Sequence, residues 1–315
     1  MLVAGLLILL ACLILFVGAE LLVRGGASIA IKLGLTPLVV GLTVVAFGTS
    51  APELLVSLKA SFTGQSDLAV GNVVGSNIFN IAVILGLSAV VFPVTTHLQV
   101  LRWDAPVLLG VTILTPLTFL DGEISRIEGG VLALGAVIYT IWAVRMAKRD
   151  MALGHEANID VPEVSEGGSM AGDLIKIVGG LAVLVLGSRM LVDNAVLVAQ
   201  QLGVSESVIG LTIVAAGTSM PELATSVVAA FRKQSDIALG NVLGSSLFNL
   251  LFVLGCSASI RPLNTANLLP VDTWAMIGIT VLMVPLIATG KRLSRGEGLL
   301  LFLCYLGYLG YMWPK

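Results

Sequence analysis

Apolar residues run along most of this chain in long stretches, and polar positions fall mainly between them. Each stretch holds about 20 residues, which lets a helix cross a hydrocarbon core of roughly 30 Å. A helix also satisfies its own backbone hydrogen bonds where no water is available. The pattern therefore predicts ten transmembrane helices, at about 2–22, 37–62, 68–92, 104–121, 126–147, 172–192, 206–231, 237–260, 271–290 and 296–313.

Composition supports an all-α integral membrane protein. Hydrophobic residues make up 57% of the 315 positions and charged residues only 11%, and the mean hydropathy is +1.02. A soluble domain of this size would be far less apolar. The first apolar stretch has no charged leader and no clear cleavage site, so we expect an uncleaved helix and not a secretory signal.

A duplicated segment covers the second and third predicted helices of each half. The sequence GLTVVAFGTSAPELLVS, followed by GNVVGSNIFN, recurs 169 residues later as GLTIVAAGTSMPELATS and GNVLGSSLFN. About 27 of roughly 46 aligned positions are identical. Each half holds five predicted helices, an odd number, so the second half enters the membrane in the opposite sense. We expect two inverted five-helix repeats, 1–147 and 172–315, joined by a linker, 148–171.

Basic residues predict which side of the membrane each connection faces. About twelve of the 17 Lys and Arg residues lie in connections after odd-numbered helices, and such connections are expected to be cytoplasmic. Both termini then lie outside, the linker 148–171 lies inside, and the membrane is a prokaryotic inner membrane. The linker carries Glu156, Asp160, Glu163 and Glu166 among Gly and Ser. We interpret it as a solvated connection, with a regulatory calcium site as the alternative.

Each copy of the repeat contains a proline that should break its helix. Pro52 and Pro221 have no amide hydrogen, and their rings crowd the carbonyl four residues earlier. Each helix should therefore kink or unwind, near Gly48 in the first copy and near Gly217 in the second. The carbonyl oxygens freed there need a cavity or a bound group, and a hard cation is a natural partner for them.

An acidic residue follows each proline. Glu53 comes four residues after Thr49 and three after Ser50, which places two hydroxyls and a carboxylate on one helix face. A charge in the middle of a membrane helix costs roughly 3 kcal/mol on insertion scales, so a functional role is expected. Oxygen ligands without nearby Cys or His favour sodium, potassium or calcium over zinc or copper. The second copy supplies Thr218, Ser219 and Glu222.

The following helix of each copy adds polar side chains at positions i and i+4. They are Ser76 with Asn80, and Ser245 with Asn249. We interpret them as further oxygen ligands, with interhelical hydrogen bonding as the alternative. Asn72 and Asn241 could support either a helix cap or the site.

Other polar residues are predicted to have structural roles. Ser66 and Asp67 should cap the third helix, and Ser235 and Asp236 the eighth. His97 and His155 fall in or next to connections and are expected to be solvated loop residues.

The paired GTSxPE and GNVxGS segments resemble the two alpha repeats of the sodium/calcium exchanger family, within the calcium:cation antiporters. Nearly the whole chain is covered, and it is similar to the compact bacterial and archaeal members. The resemblance implies cation sites between the second, third, seventh and eighth helices. The implied ligands are Glu53, Glu222, Thr49, Ser50, Thr218, Ser219, Ser76, Asn80, Ser245 and Asn249, with main-chain oxygens of Ala46 and Ala215.

One position departs from the family pattern. The eighth helix of sodium-dependent members often has an aspartate where this chain has Asn249. The site then holds two carboxylates, which match one Ca²⁺ or two Na⁺ without surplus charge in a medium of low dielectric constant.

The resemblance implies an antiporter that exchanges Ca²⁺ for Na⁺ by alternating access and exports calcium, with the first and sixth helices sliding across the core. A potassium-dependent or a proton-coupled calcium exchanger is the alternative, and a passive cation channel is a distant one. No hydrolase, metalloprotease or nucleotide-binding motif occurs, so we do not expect an enzyme. The expected partners are the lipid bilayer and inorganic cations, with no prosthetic group, no nucleic acid and no protein partner.

Overall fold

A computed structural model describes residues 2–152, 169–203, 213, 215–266 and 268–312. These residues are almost entirely helical. We number the helices α1 Leu2–Leu33, α2 Pro37–Thr49, α3 Ala51–Phe62, α4 Ser66–Val91, α5 Val100–Phe119, α6 Arg126–Ala152, α7 Met170–Gln201, α8 Ala215–Gly217, α9 Met220–Phe231, α10 Ser235–Ile260, α11 Pro270–Ala288 and α12 Arg295–Met312.

Within the described ranges, seven helices are long and apolar enough to cross a membrane, or eight if the bent pair α2 and α3 forms one span. They are α1, α4, α5, α6, α7, α10 and α11. The chain is therefore an integral membrane protein with several apolar spans. Regular α-helical geometry is interrupted inside three of them: α4 contains a π-helical turn at Asn80–Leu85, α10 contains one at Asn249–Val253, and α5 begins with one at Val100–Asp104.

The predicted breaks lie beside the two prolines. Between α2 and α3 the axis bends by 45°, and Ser50 has backbone angles of −78° and 5°. Ser219, which precedes α9, has nearly the same angles, −88° and 9°. Pro52 and Pro221 each occupy the first turn of the helix that follows, where no amide hydrogen is required. The prediction of a break in each repeat is confirmed.

The centre of the fold is formed by α4 and α10. In an 18-residue stretch of each, 83% and 94% of the residues are buried, against 33% in α1 and 28% in α7. Gly240 and Gly244 let α10 lie directly on α2, since a Cβ atom would come within 2.6 Å of the Leu38 oxygen and 2.5 Å of the Leu42 oxygen. Two of the helices that carry predicted site residues are thus the most deeply enclosed of the seven spans.

Four two-residue strands join connections that are distant in sequence. Strand β1, Val94–Thr95, pairs antiparallel with β4, Arg292–Leu293, and β2, Glu123–Ile124, pairs antiparallel with β3, Leu263–Asn264. The sequence analysis predicted only helices, because strands this short show no alternation of polar and apolar residues. Each pair fastens a connection of one half of the chain to a connection of the other.

Two predictions about polar residues are wrong. The caps of α4 and α10 are Gln65 and Gln234, neither of which makes a side-chain cap hydrogen bond, and the predicted cap residues already lie inside the helices. His97 is also not a simple solvated residue, because its Nε2 atom lies 2.9 Å from Asp236 Oδ1. Hydrogen bonding to Asp236 raises the pKa of the imidazole.

The linker differs slightly from its predicted limits. Helix α6 continues to Ala152 and α7 begins at Met170. His155 and the four acidic linker residues lie outside the described residues.

Candidate cation site

Glu53 and Glu222 lie in the first turns of α3 and α9, directly after the two breaks. Both side chains are fully buried, with no exposed surface. The free amides at a helix N-terminus favour a negative charge at this position, which offsets part of the cost of burial. The breaks thus deliver one carboxylate from each half of the chain into the interior.

Each glutamate accepts a hydrogen bond from a serine of the other half. Ser50 Oγ donates to Glu222 Oε1 at 3.1 Å, and Ser219 Oγ donates to Glu53 Oε1 at 2.8 Å. Ser50 and Ser219 are the break residues themselves, so their non-helical backbone angles aim their hydroxyls across the interface. The two predicted half-sites therefore form one cluster.

The hydroxyls on the neighbouring helices belong to the same cluster. Ser219 Oγ lies 3.2 Å from Ser76 Oγ, and Thr49 Oγ1 lies 3.4 Å from Ser245 Oγ. All four oxygens are buried. Hydroxyl groups can serve as hard-cation ligands, as the sequence analysis expected of these positions.

Asn72 and Asn241, whose role the sequence left undecided, lie against the site. Asn72 Nδ2 donates to the Glu53 carbonyl at 3.2 Å, and its Oδ1 accepts from Thr218 Oγ1 at 3.5 Å. Asn241 Nδ2 donates to the Glu222 carbonyl at 3.3 Å, and its Oδ1 accepts from Thr49 Oγ1 at 3.1 Å. The two asparagines therefore connect the helices of one half to the break of the other.

Sequence reasoning missed two serines that hold these asparagines. Ser57 Oγ accepts from Asn72 Nδ2 at 2.9 Å, and Ser226 Oγ accepts from Asn241 Nδ2 at 2.9 Å. Each serine comes four residues after a glutamate and is fully buried. That spacing, on the same helix face as the acid, was the available signal.

Several buried side-chain atoms of the described residues have no hydrogen-bond partner, and six of them belong to the predicted site: Glu53 Oε2, Glu222 Oε2, and the Oδ1 and Nδ2 atoms of Asn80 and Asn249. A buried polar atom left unpaired costs about 1–3 kcal/mol. Asn80 and Asn249 also begin the two π-helical turns, a distortion found often at functional sites. Four unpaired oxygens from equivalent positions are the arrangement expected of a site that binds cations.

The main-chain oxygens at the breaks are only partly free. Ala46 O accepts from Ser50 N at 3.0 Å and from Thr49 Oγ1 at 3.3 Å. Ala215 begins α8, the equivalent segment of the second half. Gly217 O, which the proline should expose, accepts from Ser188 Oγ of α7 at 2.6 Å.

A cavity of about 340 Å³ reaches the cluster. Its lining includes Asn72, Ser76 and Thr218, and also Asp67 and Asp272. These two aspartates lie in the first turns of α4 and α11. Negative charge in the wall of a cavity raises the local concentration of cations.

A model of the sodium/calcium exchanger protein family matches residues 3–145 and 174–313, which is most of the chain. The chain belongs to the sodium/calcium exchanger family. The two matched regions coincide with the two halves described above, and Glu53 and Glu222 lie one in each region.

Two relatives match over nearly their full length. The inner membrane protein YrbG of Escherichia coli K12 is 35% identical, with 100% of this chain and 99% of YrbG covered. The sodium/calcium exchanger MaX1 of Methanosarcina acetivorans is 33% identical, with 96% of this chain and 97% of MaX1 covered. Family membership makes the chain a transmembrane sodium/calcium antiporter.

Solved structures of the sodium-calcium exchanger NCX_Mj have the same fold. The structure soaked without Na⁺ and Ca²⁺ has a TM-score of 0.84 and 30% identity, and the match covers 99% of this chain and 100% of that one. A structure soaked with Na⁺ and Sr²⁺ also has a TM-score of 0.84, with 31% identity. The exchanger fold is thus shared from end to end.

Proposed function

We propose that this exchanger carries Ca²⁺ out of the cytoplasm in exchange for Na⁺, across a prokaryotic inner membrane, by alternating access. The observation that carries the proposal is the pair of buried glutamates, each with one carboxylate oxygen held by a serine of the other half and one oxygen unpaired. Two unpaired carboxylate oxygens with surrounding hydroxyl and amide oxygens suit a calcium ion or sodium ions.

The proposed ligands are those expected from the family resemblance. Glu53 and Glu222 supply the charge, and the other groups complete the coordination. They are Thr49, Ser50, Ser76, Asn80, Thr218, Ser219, Ser245 and Asn249, with the main-chain oxygens of Ala46 and Ala215. Ca²⁺ and Na⁺ use overlapping oxygens, so one ion excludes the other and their movements are coupled.

The proposed topology is ten transmembrane helices in two inverted repeats, 1–147 and 172–315. Hydrogen bonds that recur with an offset of 169 residues support it: Asn72 with Ser57 corresponds to Asn241 with Ser226. The strands recur in the same way, because the pair β1 with β4 corresponds to β3 with β2. Helices α4 and α10 then cross the bilayer in opposite senses.

We further propose that both termini lie outside and that the linker 148–171 is cytoplasmic. Contacts between connections agree with this arrangement. Strands β1 and β4 both follow odd-numbered predicted helices, and His97, in the same connection as β1, contacts Asp236, which follows another odd-numbered predicted helix. Strands β2 and β3 both follow even-numbered helices. The cavity lined by Asp67 and Asp272 would then open toward the outside.

A potassium-dependent exchanger is a second candidate. The sodium/potassium/calcium exchanger 2 of Rattus norvegicus is 29% identical over 138 residues, which covers 42% of this chain and 20% of that protein. Proton coupling through the same two carboxylates is the remaining variant, and a passive channel is the distant one.

The test is calcium flux into proteoliposomes that contain the purified protein. Sodium-loaded vesicles should take up Ca²⁺ rapidly when placed in sodium-free buffer, whereas vesicles loaded with choline, potassium or protons should not. Uptake that requires potassium with sodium, or a proton gradient alone, would replace the proposal with the corresponding alternative. Equal uptake without any counter-gradient would mean a channel.

A further inference from the structure

The first turn of α7 contains a buried carboxylate that joins two helices outside the cation site. Asp173 has a side chain only 1% exposed. Its oxygens accept hydrogen bonds from Ser28 Oγ at 2.5 Å, from Lys32 Nζ, and from Lys176 Nζ at 2.9 Å. Ser28 and Lys32 belong to α1, so this cluster, which we call the Asp173 clamp, connects the C-terminal part of α1 to the N-terminal turn of α7.

The backbones of α1 and α7 are in direct contact along several turns. A Cβ atom on Gly18 would lie 2.9 Å from Leu184 N, and one on Gly180 would lie 2.8 Å from Gly18 O. One on Gly187 would lie 3.2 Å from Leu15 N. Close packing of this kind fixes the register of two helices, because any sliding brings a larger side chain against backbone.

The contacts of α7 with the helix breaks are of a different kind. A Cβ atom on Gly48 would lie 2.6 Å from Leu181 Cδ1, and one on Gly217 would lie 2.4 Å from Val192 Cγ2. Here the ends of apolar side chains face the breaks, and such ends can change rotamer as they pass a neighbour. A hydrogen bond from Ser188 Oγ to the Gly217 carbonyl also joins α7 to the second break. Backbone contacts thus hold the register of α1 and α7, whereas α7 meets the breaks through apolar side-chain ends and this hydrogen bond.

We propose that Asp173 is a positioning residue for transport, which fixes α1 and α7 as one unit so that both move together relative to the cation site. This inference rests on the proposed alternating access. Without the clamp, Lys32 and Lys176 repel each other at the same end of the pair, and only the glycine packing further along the helices holds α7 to α1. Leu181 and Val192 of α7 then follow the position of α1 less closely at the two breaks.

The first experiment compares Asp173→Asn with Asp193→Asn, a matched change at an exposed position of the same helix. Asp173→Asn should lower the maximal rate of sodium-driven Ca²⁺ uptake at least about fivefold while the Ca²⁺ KM stays within about twofold, because no ion ligand is changed. Asp193→Asn should transport like the parent protein. Equal rates for the two variants would overturn the inference. A parent protein without sodium-driven uptake would instead contradict the proposed function.

The second experiment replaces the clamp with a covalent bond. Cys12, Cys256 and Cys304 are free and are first replaced by alanine. Ser28→Cys with Asp173→Cys should transport slowly when reduced and regain most of its rate when the two thiols are bridged by a short bifunctional reagent. A merely structural loss would not be reversed by bridging. Bridged protein that transports no faster than reduced protein would overturn the inference.

A bridge between the pair and the core is the contrasting case. Glu20 of α1 forms an ion pair with Arg232, directly after α9, at 2.8 Å. Glu20→Cys with Arg232→Cys should transport when reduced and stop when bridged, because this bond would prevent the pair from moving. Full transport by this bridged variant would show that α1 does not move relative to α9, and would also overturn the inference.

Discussion

At the break before α9, the Gly217 carbonyl accepts a hydrogen bond from Ser188 of α7. At the equivalent break after α2, no side chain of the described residues donates to the Gly48 carbonyl. The position 169 residues before Ser188 is Ala19 of α1, which has no hydroxyl. The proposed ion ligands of the two halves are equivalent, whereas the residues that contact the breaks are not. The proposed site is therefore symmetric between the halves, and the contacts at the breaks are asymmetric.

Helix α7 contacts both breaks, which is part of this asymmetry. Leu181 and Val192 of α7 lie against Gly48 and Gly217, and Ser188 adds a polar contact to the second of these. Movement of α7 would therefore displace residues beside both halves of the proposed site. The half that contains Glu222 has the additional hydrogen bond to α7.

The largest loss of transport should come from substituting the two glutamates, which occupy equivalent positions in the two halves. Glu53→Gln and Glu222→Gln should each reduce sodium-driven Ca²⁺ uptake at least about a hundredfold, because each removes one of two charges that balance a divalent cation. Both variants should elute as folded protein in size-exclusion chromatography. Glu123→Gln, at an exposed position, is the control. If only one variant lost transport, the halves would not contribute equally.

A smaller loss of transport is expected from a substitution where α10 packs on α2. Gly244→Val would place a Cβ atom 2.5 Å from the Leu42 oxygen and 2.7 Å from the Ala46 Cβ atom. Overpacking of this kind costs about 1–3 kcal/mol or more, so the melting temperature in detergent should fall and transport should drop. Gly130→Val, where no described residue lies within 4 Å of a Cβ atom, should melt like the parent. Equal melting of both variants would contradict this packing.

The smallest change in transport should come from removing the Ser188 hydrogen bond, which distinguishes the second break from the first. Ser188→Ala removes one buried hydrogen bond, worth about 1 kcal/mol, and makes the second break resemble the first. We expect the uptake rate to change by roughly threefold to tenfold, with little change in the Ca²⁺ KM. Ala19→Ser tests the reverse change. A Ser188→Ala variant with parental kinetics would show that the asymmetry at the breaks has no effect on transport.

The sequence predicted the parts of the fold that depend on local pattern. The apolar stretches, the breaks at Pro52 and Pro221 and the burial of both glutamates follow from composition, from the proline ring and from spacing. The pairing of Ser50 with Glu222 and of Ser219 with Glu53 did not follow, because the partner residues are far apart in the chain. Inverted duplication predicted that the half-sites meet, but not which oxygen contacts which.

Other structural features could not be predicted, because no local pattern in the sequence indicates them. A two-residue strand such as Val94–Thr95 is too short to show a pattern. The link between His97 and Asp236 depends on the positions of two connections. The Asp173 clamp was hidden because Asp173 stands next to a linker rich in acidic residues, and only the packing of α1 on α7 reveals its burial.

The hydrogen bonds that cross between the halves have a consequence for the origin of this protein. Each carboxylate is held by a serine from the other copy of the motif, so a half-length chain could not assemble this site alone. A single-copy ancestor with this motif would have bound cations only as a pair of identical chains inserted in opposite orientations.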